Sequence, residues 1–317
     1  MSVMQERTSP VVGVFTSDWH LSEKAPVVRS VEEDWMLAQE NYLWQLREVH
    51  TKYRVPIFVA GDLLNKWNVS PLLLSWVMRC LRDMCIITIP GNHDIPNHNY
   101  GELKRSGYWT LVVAERIVHL DKPLTIGSLT IHPFPYDHEI TPPSKHNGLC
   151  LQVALVHDYI WTKTTGHHLS LEEQRYPAWM KKLKGYDVVF FGDNHIPWIQ
   201  SGNKPIVVNC GTFMRRAVNE INLEPSVWLL HENCTVTRHK LDCSQDKFID
   251  FDNEIDVLEK AMELDFEEFA NELKSLHSER LDFAKVVLRW VNSQKIEQPV
   301  KEIILRAIGE KYARTNR

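Results

Sequence analysis

A chain of 317 residues is long enough to bury a substantial core, as one large domain with an appendage or as two modest domains. With 44% hydrophobic and 24% charged residues, and only 13 Gly and 16 Pro, it belongs to the globular class, which excludes a fibre or a long disordered tail. The net charge of -5 is not that of a protein gripping nucleic acid with its whole surface, so any DNA contact has to be local or metal-assisted. No apolar run approaches the roughly 18 to 20 residues of a membrane span, and Met1 to Pro10 lacks an apolar secretory core. A cytoplasmic location without membrane contact is therefore expected. The six cysteines (Cys80, Cys85, Cys150, Cys210, Cys234, Cys243) form no Cys-x-x-Cys pair, so they are expected to be buried small hydrophobes, not a zinc ribbon or a disulfide framework.

Short apolar, β-branched runs predict buried strands at Val11–Thr16, Pro56–Ala60, Ile86–Ile89, Leu124–Pro133, Leu151–Val156, Val188–Phe191, Ile206–Asn209 and Val227–Leu230. Between the early ones, apolar residues spaced by three and four predict helices over Val31–Lys52 and Pro71–Met84, with Pro71 suited to a first turn. Leu72–Val77 reads as core with some contribution to a dimer face. Pro133–Asn147 and Thr162–Ser170 read as loops. The alternation of strands and helices predicts a layered α/β fold.

After Asp246 the strand-like runs stop. Ile255, Leu258, Met262, Phe266, Phe269, Leu273 and Leu276 mark an amphipathic helix, and a second opens near Pro299. Asp246–Asp282 holds 13 acidic and 4 basic residues (-9), and Phe283–Arg317 holds 3 acidic and 8 basic (+5). Two solvated helical faces, packed on each other or on the main body, account for this pattern first, and a docking or capping module is the alternative. The expected division is a catalytic domain over 1–242 and a mostly helical capping or partner-docking region over 243–317.

The residues able to bind metal fall just past strand ends: Asp18 and His20, Gly61-Asp62, Gly91-Asn92-His93-Asp94, His157, and Gly192-Asp193-Asn194-His195. Sites in open sheets collect at the carboxyl ends of strands, so five such loops can converge. A bare Asp-x-His arises by chance often, whereas Gly-Asn-His-Asp does so on the order of once in several hundred chains of average composition, and the ordered set is therefore specific. A lone histidine is usually a hydrogen-bonded structural residue, but the strand-end placement of His20, His93, His157 and His195 favours ligands. Mixed carboxylate, amide and imidazole donors suit Mn²⁺, Fe²⁺ or Zn²⁺.

This set resembles the calcineurin-like metallophosphoesterase superfamily over Val11 to about Thr212. The resemblance implies an α/β four-layer sandwich, two mixed β-sheets flanked by helices, with two divalent metal ions, most simply Mn²⁺, with Mg²⁺, Fe²⁺ or Zn²⁺ as alternatives. It assigns one metal to Asp18, His20, Asp62 and His195, and the other to Asp62, Asn92, His157 and Asp193, with Asp62 bridging. A metal-activated hydroxide would attack the phosphoester in line, and His93 is cast as the acid assisting the leaving oxygen. Asp193 departs from the pattern, standing where the family usually has a histidine. Three carboxylates facing two divalent ions leave less positive charge for a phosphate and favour Mn²⁺ or Mg²⁺ at the second site.

Within that superfamily the chain is similar to SbcD-type DNA exonuclease subunits. The pieces are Thr16-Ser17-Asp18-Trp19-His20-Leu21, Gly61-Asp62-Leu63-Leu64, Ile89-Pro90-Gly91-Asn92-His93-Asp94, Pro133-Phe134-Pro135-Tyr136 and Asn209-Cys210-Gly211-Thr212-Phe213-Met214-Arg215-Arg216. The resemblance implies a Mn²⁺-dependent DNA nuclease working as a homodimer with an SbcC-type ATPase. Arg215 and Arg216 are candidate DNA contacts, or else a surface pair, and Asn65 is a candidate substrate-positioning residue. The alternatives are a phosphatase or phosphodiesterase for nucleotides or small phosphoesters, and a non-catalytic scaffold of the same fold.

Overall fold

Strict alternation along the strands dictates the layers. In β1 (Val11–Thr16) Val14 and Phe15 point to opposite faces, and in β2 (Ile57–Ala60) Ile57 and Val59 share one face while Phe58 and Ala60 share the other. The computed structural model describes residues 9–143, 148–166, 170–202 and 204–249. The strands that follow are β3 (Ile86–Ile89), β4 (Val118–His119), β5 (Leu124–Ile126), β6 (Leu129–Phe134), β7 (Leu151–His157), β8 (Val188–Gly192), β9 (Trp198–Gln200), β10 (Ile206–Asn209), β11 (Ser226–His231) and β12 (Val236–Lys240). The helices are α1 (Trp35–Tyr53), α2 (Pro71–Cys80), α3 (Gly107–Val113) and α4 (Tyr176–Trp179).

Two six-stranded sheets form, in the orders β12-β11-β1-β2-β3-β4 and β5-β6-β7-β8-β10-β9. The central strands pair in parallel, while β5–β6, β9–β10, β11–β12 and β1–β11 pair antiparallel, so both sheets are mixed. Phe15, Phe58, Phe190, Val153, Leu155 and Leu230 belong to the core between the sheets, where the Phe15 and Phe190 rings stack at 3.8 Å. Outside the first sheet, α1 and α2 bury Leu43, Leu46, Leu73 and Val77 against Val14, Val59 and Ile86. Outside the second, Trp179, Leu183 and Tyr186 cover Ala154, Val156, Val189 and Phe191. The result is the expected helix–sheet–sheet–helix sandwich. Parallel strands covered on both faces read as continuous apolar runs, which is why most were legible.

Several elements differ from the expectation. The single strand expected over Leu124–Pro133 is a hairpin turning at Gly127 (φ 57°). Helix α1 starts only at Trp35, where the Asp34 carboxylate caps the Leu37 N–H at 2.9 Å. Helix α2 has Pro71 in its first turn and the Ser70 hydroxyl as its cap, and it ends at Cys80. It buries Leu73, Trp76 and Val77 and leaves Leu72 exposed, so the Leu72–Val77 run is chiefly core. Of the cysteines only Cys80 and Cys210 are buried; Cys85 is exposed and the other three are partly so, because they lie at strand edges and turns. No helix among the described residues is long and apolar enough to cross a membrane.

The chain divides into two units, Met1–Asp250 and Phe251–Arg317. The helices expected after Asp250 lie outside the described residues. Residues 243–249 are held on the first unit by a buried ion cluster. Asp246 takes the Arg29 guanidinium at 2.8 Å, the Arg215 Nε at 2.8 Å and the Tyr42 hydroxyl at 2.7 Å, and the Phe248 ring lies 5.0 Å from each guanidinium carbon.

Candidate metal centre

The carboxyl ends of β1, β2, β3, β7 and β8 lie side by side, and the loops leaving them bring the seven expected ligands together. The first two loops are zipped by backbone bonds: the Asp18 N–H donates to Gly61 O (3.1 Å), His20 to Asp62 O (2.9 Å) and Leu21 to Leu63 O (3.0 Å). Trp19 points away from the ligands into the core. It is fully buried, stacked on Phe213 at 5.0 Å, and its indole N–H donates to the Thr16 hydroxyl at 3.1 Å. The tryptophan between Asp18 and His20 is thus the wedge that anchors the ligand loop.

Asp18, His20, Asp62 and Asp193 all have positive φ (53°, 45°, 53° and 91°). Non-glycine residues hold such backbone only where their surroundings over-determine it, commonly at functional sites. Gly61 also turns left-handed (φ 87°), but Gly91 does not; it is needed for space, since a Cβ there would sit 2.1 Å from the Asp62 carboxylate.

Asp62 is the hub. Its Oδ2 lies 3.6 Å from His20 Nε2, and its Oδ1 lies 3.5 Å from His157 Nε2. On the first side, His20 Nε2 is 3.2 Å from His195 Nε2 and 3.9 Å from Asp18 Oδ1. On the second, His157 Nε2 is 2.9 Å from Asn92 Oδ1 and 3.9 Å from Asp193 Oδ1. Ligand atoms within 4.8 Å of one another are offered by Asp18, His20 and His195, by Asp18, Asp62 and His157, and by His20, Asp62 and His93.

Residues around the ligands orient them. The His157 Nδ1 donates to Ala60 O at 2.7 Å, which leaves its Nε2 lone pair facing Asp62 and Asn92. His195 Nδ1 is held by the buried Glu220 carboxylate, whose other oxygen takes the Arg216 and Ala217 N–H groups. Buried Asp94 accepts from the N–H groups of Leu63 (3.2 Å), Leu64 (3.0 Å) and Gly91 (3.0 Å), fastening the loop after β2 to the loop after β3. Asp18 accepts from the Ser17 hydroxyl and from the Asp193 N–H at 3.1 Å. Sequence reasoning assigned no role to Glu220, Asp94 or Ser17. Asp94 stands inside a recognised motif, but nothing local marks Glu220, which lies 25 residues from the histidine it serves.

His93 lies beside the first cluster, its ring edge-to-face with His20 at 4.6 Å. Its Nδ1 is 2.7 Å from the Asn65 carbonyl, and its N–H donates to Asp62 Oδ1 at 3.0 Å. The Asn65 side chain accepts from Arg216 at 2.9 Å, so both of these candidates come to the rim. Arg215 does not. Its guanidinium bonds Asp246, Ile221 O and Cys243 O, so its side chain is spent on residues 243–249 and the turn at Ile221.

The electrostatics call for cations. Burial pushes the Asp18 carboxyl up to about 6, against the pull of His195 and His157, and burial raises Asp193 as well. Burial acts upward on Asp62 too, but His157 and His93 hold it well below the usual carboxylate range. Burial disfavours the charged form of His195, yet the Glu220 hydrogen bond and Asp18 push it up to about 9. His157 is carried well above the imidazole range by Asp62 against burial, and burial depresses His20. In the bare protein His157 and His195, but not His20, are thus favoured in their protonated forms beside buried carboxylates, a balance that divalent cations at the converging donors would take over. The donors present fit that role: three carboxylates, three imidazoles and an amide oxygen, with one carboxylate shared.

A family model for calcineurin-like phosphoesterases matches residues 14–197, and the chain belongs to that family. It is a metal-dependent phosphoesterase by family, and its ligand clusters fit that assignment. No curated protein matches the chain. Among solved structures, it is similar to an archaeal phosphodiesterase, at 18% identity over 72% of this chain and 99% of that one (TM-score 0.39). It is similar to a Staphylococcus aureus protein assigned as a 5′-nucleotidase, at 15% identity over 79% of this chain and 58% of that one (TM-score 0.43). It is also similar to zinc-complexed Vps29 of Entamoeba histolytica, at 13% identity over 75% and 96% (TM-score 0.38).

Proposed function

We propose that this chain is a Mn²⁺-dependent phosphodiesterase acting on DNA, the nuclease subunit of an SbcD-type assembly. The observation that carries the hydrolytic part is Asp62, whose two oxygens are divided between a cluster of Asp18, His20 and His195 and a cluster of Asn92, His157 and Asp193. When bound, two divalent ions would polarise the phosphoryl group, supply the nucleophile and neutralise developing charge.

The chain's own residues do the rest. The Ala60 carbonyl keeps the His157 proton on Nδ1, and Glu220 does the same for His195, so both present Nε2 as a lone pair. The Asn65 carbonyl takes the proton on His93 Nδ1 and so orients the ring; His93 as the imidazolium then carries a second proton on Nε2 to hand to the leaving oxygen, and is left with its Nε2 lone pair. Arg216, tied to Asn65 at the rim, brings positive charge toward an arriving phosphate. The side chains of His195 and Asp193 are 32% and 28% exposed, so the donors open to solvent on that side, where a polymer backbone can enter.

The DNA assignment rests on the motif resemblance, above all Asp18-Trp19-His20 and the Asn209–Arg216 run. The same resemblance supports a homodimer and an SbcC-type ATPase partner, which sedimentation with and without such an ATPase would test. The central experiment is hydrolysis of labelled single- and double-stranded DNA with Mn²⁺, Mg²⁺, Zn²⁺ or EDTA, beside a chromogenic diester. The proposal expects Mn²⁺-dependent DNA cleavage that His93→Ala abolishes. Turnover of the small ester alone would replace it with a small-phosphoester hydrolase.

A further inference from the structure

Beyond His93 the chain passes through two more 3-10 turns, Pro96–His98 and Tyr100–Arg105, and the loop after β6 begins at Pro135. Each loop carries a tyrosine and a histidine two residues apart: His98 and Tyr100 on the first, Tyr136 and His138 on the second. They pair across the gap. His98 and Tyr136 have ring centroids 5.6 Å apart, and Tyr100 and His138 meet edge to face at 4.6 Å. His98, Tyr100 and Tyr136 are half-buried and His138 is exposed, so the four rings make a patch that reaches the surface.

The patch is built and it adjoins the centre. The Tyr100 hydroxyl is hydrogen-bonded to His119 Nε2 at 3.3 Å, and the His138 ring to Tyr136 O at 3.0 Å, which fixes both rings. Asn97 and His98 both hold positive φ (51° and 56°), a conformation maintained only where the surroundings require it. The Tyr136 N–H donates to Pro90 O at 3.3 Å, two residues before the ligand Asn92. The Tyr136 hydroxyl is pushed up by burial and then by the charges of Asp137, Asp193, Asp158 and Asp62, so it stands in the field of the metal-binding carboxylates. Core packing accounts for the inner edges of Tyr100 and Tyr136, but it does not call for two imidazoles beside them.

We propose that this four-ring patch is a nucleobase-stacking platform that receives an unpaired base next to the phosphodiester held at the centre. The proposal rests on the DNA reading above. Every base offers a π-face, so stacking on aromatic rings holds single strands without demanding a sequence. Tyrosine and histidine suit a surface that must be both wet and stackable, since each joins a flat ring to a polar edge. The platform makes single-stranded ends better substrates than blunt duplex.

The test uses the full chain with Mn²⁺ and two substrates: a single-stranded oligonucleotide, and the same strand with abasic sites flanking the scissile bond. Tyr136→Leu should raise KM for the intact strand roughly 5- to 150-fold, the loss of one stacked base, with kcat little changed. It should leave cleavage of the abasic strand as it was, and Tyr136→Phe should behave as wild type. Equal kinetics of Tyr136→Leu and wild type on the intact strand, or an equal loss on both strands, would overturn the platform. If Tyr136→Leu melts far below the wild type, His98→Leu takes its place with the same expectations. A wild-type protein that cleaves neither strand would remove the nuclease reading alone. The platform is then judged by binding of a 2-aminopurine strand: quenching that Tyr136→Leu loses supports it, and no quenching with wild type overturns it.

Discussion

Replacing Glu220 by glutamine isolates a buried acid that holds the ring of a candidate ligand without being a candidate itself. Glu220 is 1% exposed; one oxygen holds His195 Nδ1, and the other takes the N–H groups of Arg216 and Ala217. Glutamine keeps the shape but has a single acceptor oxygen. Either His195 loses the partner that fixes its tautomer, or two half-buried N–H groups lose theirs, a penalty of about 1–3 kcal/mol. Outer partners of metal-binding histidines are worth about 10- to 100-fold in metal affinity, or about 1.4–2.8 kcal/mol, so the two routes agree in size. Calorimetric titration of Mn²⁺ into metal-free protein should resolve two sites. Glu220→Gln should weaken only the one containing His195, by about 10- to 100-fold. Equal weakening of both sites, or none, would refute the argument, because the second cluster of Asn92, His157 and Asp193 makes no contact with Glu220.

Three further outcomes are expected. Gly91→Ala should abolish metal binding at both sites while the protein stays folded by circular dichroism, because its Cβ would meet the shared Asp62 carboxylate at 2.1 Å and His157 Nε2 at 2.6 Å. Asp246→Ala leaves the part-buried Arg215 without its carboxylate and the buried Arg29 with Glu32 alone, and should cost about 3 kcal/mol in urea unfolding, the scale of breaking a buried pair. Metal uptake should release protons and strengthen as pH rises through the range of about 6 to 9, because metal-free Asp18 (about 6) and His195 (about 9) must both lose a proton to bind. Titration in buffers of different ionisation enthalpy reads that release directly, and pH-independent affinity would contradict it.

Much of this protein was legible before its fold. Parallel strands buried on both faces are continuous apolar runs, and β1, β2, β3, β7, β8 and β10 announced themselves that way; β11 pairs antiparallel on both sides but is buried along almost its whole length and reads the same. The elements not foreseen lacked that signal. β4 has two residues, β9 is largely exposed, and β12 (Val-Thr-Arg-His-Lys) is an edge strand held by its pairing with β11. Helix α3 is a seven-residue helix opening on glycine, capped by the Ser106 hydroxyl on the Trp109 N–H at 3.1 Å.

The sequence by itself picked out the candidate ligand set, because metal chemistry demands particular donor atoms and the strand-end loops that carry them are local features. It also marked His93 and brought Asn65 and Arg216 into consideration. Tertiary structure alone decided which oxygen of Asp62 faces which cluster and which acid orients His195. It also decided that Arg215 secures residues 243–249 while its neighbour Arg216 turns to the rim. Two adjacent arginines carry the same charge, so only the packing of distant partners, Asp246 for one and Asn65 for the other, sends them to different tasks.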